Sequence, residues 1–199
     1  MKILRYNYKN LRFGGEKMKF EEKIITLKDG TEAIFRSPVV SDAEKMLDYL
    51  RAVSGETDFL MRRANDEFPD VESEKKWITS GLESENNLKI LCEINGVVVG
   101  NCEIMFGSRF RTSHRATIAI AVRKKYWGLG IGTAMFEEIE KAARARGGIA
   151  QLELECFACN TRAQGLYKKM GFEVDYIHHD ALRLSDGTLT DEYGMVKKL

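Results

Sequence analysis

The chain lacks an excess of either charge: 31 basic and 30 acidic residues are mixed along 199 positions, leaving a formal net charge of +1. That balance excludes a broad phosphate-tracking surface, so nucleic acid is not an expected partner. No apolar run approaches the roughly 18 residues needed to cross a bilayer, and the opening stretch MKILRYNYKNLRFGG has no signal-peptide h-region. A cytoplasmic location without a membrane partner is therefore expected. Cysteine is sparse, and Cys92, Cys102, Cys156 and Cys159 show no disulfide-framework spacing. Cys156 and Cys159 do form a CxxC, but a structural zinc site needs two more ligands at suitable spacing, so no metal is expected. Internal repeats and low-complexity tracts are also missing. What is present, 44% hydrophobic and 31% charged positions, suits one compact domain with a full core.

Residues 1–17 carry little hydrophobic periodicity and end in Gly14-Gly15-Glu16-Lys17, just before Met18. Codons for Gly-Gly-Glu can read as a purine-rich ribosome-binding sequence. Residues 1–17 are accordingly read as a disordered tail or a miscalled start, with the domain at 18–199.

Apolar periodicity then sets out the elements. Ile24–Leu27 and Ala33–Phe35 flank Asp29-Gly30 as a hairpin. Val40, Ala43, Met46, Leu47, Leu50 and Val53 repeat at helical spacing, predicting a helix over 42–53 that opens on a Ser41-x-x-Glu44 capping box. Residues 54–70 have no clean period and form a candidate substrate-side wall, in which Glu56, Asp58, Asp66, Glu67 and Asp70 either attract a cationic amine or merely solvate the loop. A helix over 72–82 follows, with Trp77 and Ile78 turned to the core. Asn95-Gly96 joins strands 88–94 and 97–106. A strand over 116–122 feeds a glycine loop and a helix over 130–146, and strand 151–157, helix 161–170 and strands 173–184 and 192–198 complete the chain. This order predicts an α/β fold, a mixed sheet with helices on both faces.

The segment VRKKYWGLGIGTA, Val122–Ala134, carries the chemistry. Glycine at 128, 130 and 132 lets a phosphate approach successive backbone N–H groups, and the following helix N-terminus adds about half a positive charge. A pyrophosphate is the natural guest. A dinucleotide-binding fingerprint would want glycine where Thr133 stands, and a P-loop would want a lysine after Gly132; both fit poorly.

Some thirty residues on, NTRAQGLYKKMGF supplies Asn160, Ala163, Leu166, Tyr167, Gly171 and Phe172 in the spacing Asn-x-x-Ala-x-x-Leu-Tyr-x-x-x-Gly-Phe. Together the two segments resemble the GNAT superfamily of N-acetyltransferases. The likeness runs over roughly 24–198 and is specific over 116–172. It implies a mostly antiparallel twisted sheet with about four helices, acetyl-CoA as cosubstrate, and transfer of the acetyl group to a primary amine, with a small-molecule amine as the expected partner. It further implies that the backbone of Ile120 and Val122 meets the pantetheine arm, that the N–H groups of Gly128, Leu129, Gly130, Ile131, Gly132 and Thr133 take the pyrophosphate, that Asn160 contacts the cofactor arm, and that Tyr167 protonates the departing thiolate. Trp127 stands where many members carry an arginine and is counted with the cofactor-binding residues. Asn160 also suits a helix cap and Tyr167 a core aromatic, and both alternatives stay open.

An alkylamine with a pKa near 10.4 must shed a proton at a cost of about 4.6 kcal/mol at pH 7. Family members often use a glutamate on the strand before the loop, yet 113–122 holds no carboxylate, Thr117 standing near that place. Glu103, His114, Glu153, Glu155 or a water chain remain as bases. Direct attack of the amine is expected, since no histidine neighbours Cys156 or Cys159 in sequence. Protein α-amine acetylation and a non-catalytic acyl-CoA-binding module are the alternatives, and a homodimer is an open expectation.

Overall fold

The computed structural model describes residues 17–199, so the expectation about residues 1–17 lies, but for Lys17, outside the described part. Two short strands come first, β1 (Lys23–Thr26) and β2 (Glu32–Arg36), followed by helices α1 (Ala43–Gly55) and α2 (Val71–Leu82). Strands β3 (Asn87–Ile94), β4 (Val97–Phe106) and β5 (Arg115–Val122) lead to α3 (Ile131–Arg146). Then come β6 (Gln151–Phe157), α4 (Thr161–Lys169), β7 (Glu173–Arg183) and β8 (Leu189–Lys198). The eight strands form one sheet in the order β1-β2-β3-β4-β5-β6-β8-β7. Every neighbour is antiparallel except β5 and β6. The expected mixed, mostly antiparallel sheet with four helices is what forms.

Strand alternation sorts the core into two layers. Leu88, Ile90 and Cys92 of β3 and Leu152, Leu154 and Cys156 of β6 pack with Ile131, Met135 and Ile139 of α3. Leu91 and Val98 turn to the other side and meet Met46, Tyr49 and Val53 of α1 and Ile78 of α2. Each such large apolar side chain, once buried, contributes about 1.5–3 kcal/mol. Asn95 (φ 50°) and Gly96 (φ 79°) take the left-handed conformations that the tight β3–β4 turn requires.

The entry to α1 differs from expectation. A 3-10 turn over Val40–Asp42 precedes the helix, and no side-chain cap from Ser41 forms. Asp42 takes the polar role: it accepts from the Val39 N–H at 2.8 Å and from both ends of the Arg36 guanidinium at 2.6 and 2.8 Å. Burial pushes the Asp42 carboxyl up, but Arg36 and the Val39 amide outweigh it and hold it below the usual carboxylate range. A carboxylate already engaged by an arginine fixes this turn more firmly than a serine hydroxyl would. The α2 entry uses an ordinary cap, Asp70 accepting from the Ser73 N–H at 2.7 Å.

Two departures from regular pairing shape the middle of the sheet. The β3–β4 register shifts between Cys92 and Glu93, leaving Val99 as a bulge. More consequential, β5 and β6 are paired only over Arg115–Thr117 and Gln151–Glu153, then diverge. At the far edge, β7 slips register around Asp175 and again past His178, where Asp180 has φ 51°.

Candidate active site

The divergence of β5 from β6 opens a cavity of about 690 Å3. Odd-numbered residues of β5 direct their backbone groups to β4: the Arg115 carbonyl accepts from Gly107, and the Arg123 N–H donates to Val99. By alternation, the groups of Ile118, Ile120 and Val122 face the gap. Ile120 is thus left with polar main-chain atoms aimed at the cavity it lines. At Val122 the carbonyl accepts from the Trp127 indole N–H at 2.6 Å, which leaves the N–H as its group for the gap.

The glycine loop forms one end. Gly128 and Gly130 have φ of 85° and 99°, and Gly130 is the N-cap of α3. Among the described residues, the N–H groups of Gly128, Leu129, Gly130, Ile131, Gly132 and Thr133 donate to nothing. The turn after β1 holds this loop from behind, the Lys28 N–H donating to the Leu129 carbonyl at 3.1 Å. Leu129 itself packs into the core, whereas Gly128, Gly130, Ile131, Gly132 and Thr133 line the cavity. A run of unused N–H donors at a helix N-terminus, with no side chain at 128, 130 or 132, fits a pyrophosphate.

Two cations that sequence reasoning left unassigned flank the loop. The Lys28 stem lies 3.6 Å from where a Cβ on Gly130 would stand. The Arg162 guanidinium, from the first turn of α4, sits 4.8 Å above the Trp127 ring. The arginine that many members carry at position 127 is thereby answered by one from α4. Its signal was position alone, one helical turn before Leu166 in the second motif.

Asn160 caps α4, its side-chain oxygen accepting from the Ala163 N–H at 3.1 Å, and it also lines the cavity. Tyr167 lines the cavity too. It is 8% exposed, with its ring edge-on to Phe136 at 5.6 Å, and its hydroxyl has no hydrogen-bond partner among the described residues. Burial, with a smaller contribution from Cys156, raises its pKa well above the ordinary tyrosine value and keeps the proton on.

The expected bases separate. Glu103 faces Lys89 at 3.4 Å and accepts from Asn87, away from the cavity. Glu153 is clamped by Arg115, and His114 is exposed in the turn before β5 with its carbonyl bonded to Ala150. Glu155 alone of the four reaches the cavity. Its Oε1 accepts from the Tyr176 hydroxyl at 2.6 Å, a bond that with burial pushes the tyrosine up to about 12. The Tyr176 ring crosses β8 at Gly194, where a Cβ would lie 2.1 Å from it. Sequence reasoning missed Glu192, the second cavity carboxylate, which meets His178 Nδ1 at 3.3 Å.

The 54–70 segment supplies a wall, but with its apolar residues. Phe59, Leu60 and Met61 line the cavity, Phe59 resting 5.8 Å from Phe157. Four of its acids are engaged elsewhere, Glu56 by Arg123 and the Lys124 amide, Asp58 by Ser185, Asp66 by Arg63 and Asp70 in its cap, and Glu67 is exposed and does not line the cavity. Cys156 is buried with Sγ 4.0 Å from Met195 Sδ, and burial pushes its thiol up to about 11, while Cys159 is exposed.

A family model described as "Acetyltransferase (GNAT) family" matches residues 56–172, which hold the wall, the splayed strands, the loop and Tyr167. The chain belongs to the GNAT acetyltransferase family. The L-amino acid N-acetyltransferase AaaT of Escherichia coli (strain K12) is 31% identical over 104 residues, 52% of this GNAT chain and 64% of that protein, so the match spans less than two thirds of the relative. The crystal structure of a GNAT-family acetyltransferase from Streptococcus pneumoniae superposes with TM-score 0.79 at 28% identity, over 84% of this chain and all of that one. The Salmonella typhimurium protein yncA, solved with its cofactor acetyl-CoA, shares the fold at TM-score 0.69 and 19% identity, over 83% of this chain and 92% of that one. Among the described residues, no helix is long and apolar enough to cross a membrane.

Proposed function

We propose that this GNAT protein transfers an acetyl group from acetyl-CoA to the primary amine of a small molecule by direct attack. The carrying observation is one cavity in which Tyr167 and Glu155 both face the gap between β5 and β6, with the unused N–H donors of Gly128–Thr133 at one end. Family membership supports the donor, and the name of the E. coli relative, an L-amino acid N-acetyltransferase, supports a small amine as acceptor.

Acetyl-CoA supplies the activated acyl group. Gly128–Thr133 hold its pyrophosphate by main-chain hydrogen bonds, with Lys28 and Arg162 adding positive charge. Ile120 offers its backbone groups to the pantetheine arm, and Asn160 its side-chain amide, the oxygen being committed to the helix cap. Glu155 takes one proton from the bound ammonium, leaving a nitrogen lone pair free to attack the thioester carbon. Tyr167 gives its proton to the sulfur as the C–S bond breaks and regains one from the amide nitrogen by way of solvent. The balance is ammonium plus thioester giving amide, thiol and one proton released.

Cys156 is unsuited to an acyl-enzyme, since its thiol stays protonated at neutral pH and faces Met195. Thiol release from acetyl-CoA across a panel of amines tests the whole reading. Turnover that survives a Cys156→Ala, Cys159→Ala double variant supports direct attack; loss of turnover in that variant while it stays folded overturns it.

A further inference from the structure

Charge is divided along the cavity. Of the residues lining it, the lysine and arginine are Lys28 and Arg162, both beside the glycine loop, and the carboxylates are Glu155 and Glu192, both on the face of the sheet turned away from α3. Pairing of β6 with β8 sets Glu155 opposite Gly194 and Phe157 opposite Glu192, so both carboxylates and Phe157 stand on the same face of the sheet. The lining on that side is largely apolar, with Phe59, Leu60 and Met61 contributing and Phe59 resting 5.8 Å from Phe157, while Thr57 and Thr117 add hydroxyls. The arginines of the adjoining segments have partners, Arg63 in Asp66, Arg123 in Glu56, and Arg62 in the Glu67 carbonyl and the Phe68 ring. Tyr167, 8% exposed and with no hydrogen-bond partner for its hydroxyl among the described residues, lines this same cavity.

We infer that the acceptor is an amine bearing no carboxylate: its ammonium sits between Glu155 and Glu192, and its apolar body lies against Phe157, Phe59, Leu60 and Met61. This deepens, and rests on, the reading of the protein as an amine acetyltransferase. An α-carboxylate brought in with the ammonium would meet two like charges against a largely apolar wall, with the lysine and arginine that line the cavity, Lys28 and Arg162, held beside the glycine loop. Such placement rejects free amino acids by repulsion as well as selecting amines by attraction. The Tyr176 hydroxyl fixes the Glu155 carboxylate, which cannot swing away from an incoming anion without losing that hydrogen bond, and His178 Nδ1 lies 3.3 Å from the Glu192 carboxylate.

The test compares three amines with one branched apolar body: leucine, leucinamide and isoamylamine. Isoamylamine is the decisive member, because a simple alkylamine, with a pKa near 10.4, is harder to deprotonate than the α-amine of an amino acid derivative. Preference for it therefore reports recognition and not intrinsic reactivity. We expect kcat/KM for both carboxylate-free amines to exceed that for leucine at least tenfold, and Glu192→Gln to narrow the gap several-fold while acetyl-CoA affinity is retained. Leucine turned over as well as isoamylamine, or a gap untouched by Glu192→Gln, overturns the inference. If none of the three is acetylated, the acetyltransferase reading has failed for them; calorimetric titration of isoamylamine and leucine into the CoA-loaded protein then decides the acceptor inference alone. Tighter binding of isoamylamine supports it, and equal or tighter binding of leucine overturns it.

Discussion

At the glycine-loop end of the cavity, the groups facing the opening are main-chain N–H donors from one continuous stretch, Gly128–Thr133. At the other end they are side chains gathered from Thr57–Met61, β6 and β8, with Tyr176 of β7 behind them. A main-chain site depends on backbone conformation and tolerates many side chains around it. A side-chain site can be re-specified by a single substitution. The two ends should therefore respond to mutation in different kinetic parameters, which four variants test.

Glu155→Gln should lower kcat about a thousandfold, within the range for losing a general base, with acetyl-CoA affinity changed less than twofold. Steady-state kinetics with a separate calorimetric Kd would check this, and an undiminished kcat would pass the base role to Glu192 or water. Gly130→Val puts a β-branched residue at φ 99° beside the Lys28 stem, and should weaken acetyl-CoA binding a few hundredfold, about 3 kcal/mol. Binding within threefold of the parent would show that the cradle is not where the cosubstrate sits. Tyr167→Phe should cost about a hundredfold in kcat. Its thermal unfolding should move little, by about 0.5 kcal/mol or less, because the hydroxyl it removes makes no hydrogen bond. A large destabilisation would recast Tyr167 as a core residue. Lys28→Ala should raise KM for acetyl-CoA about fivefold at low salt, less at high salt, with kcat unchanged. A fall in kcat instead would mean that the two ends are coupled through β1.

The same contrast explains what could be read in advance. The loop was legible because a main-chain site is written as local glycine spacing, and Tyr167 because it lies within one short helical motif. The element order was legible because Asn95-Gly96, Gly147-Gly148 and Asp186-Gly187 punctuate clean changes of period. Glu192, Tyr176 and Gly194 were not legible as a group: they reach Glu155 only through the β6–β8–β7 pairing, which no local pattern encodes. The 54–70 segment misled in a different way. Its five acids stand out in the sequence, yet four are drawn off by a partner distant or adjacent and Glu67 is exposed, while the less conspicuous Phe59, Leu60 and Met61 line the cavity. At Ser41 a locally valid cap lost to Asp42, which Arg36 of β2 had engaged from across the fold.

The hydrogen bond from Lys28 to the Leu129 carbonyl has a thermodynamic reading of its own. A glycine-rich loop left to itself would sample many conformations, and freezing it around a ligand would subtract from affinity. Here the β1–β2 turn, a hundred residues earlier in the chain, fixes the loop as the protein folds. The entropy of ordering the cradle is then charged to folding and not to each catalytic cycle. Loosening that turn should shorten the residence time of the cosubstrate without removing any atom that touches it.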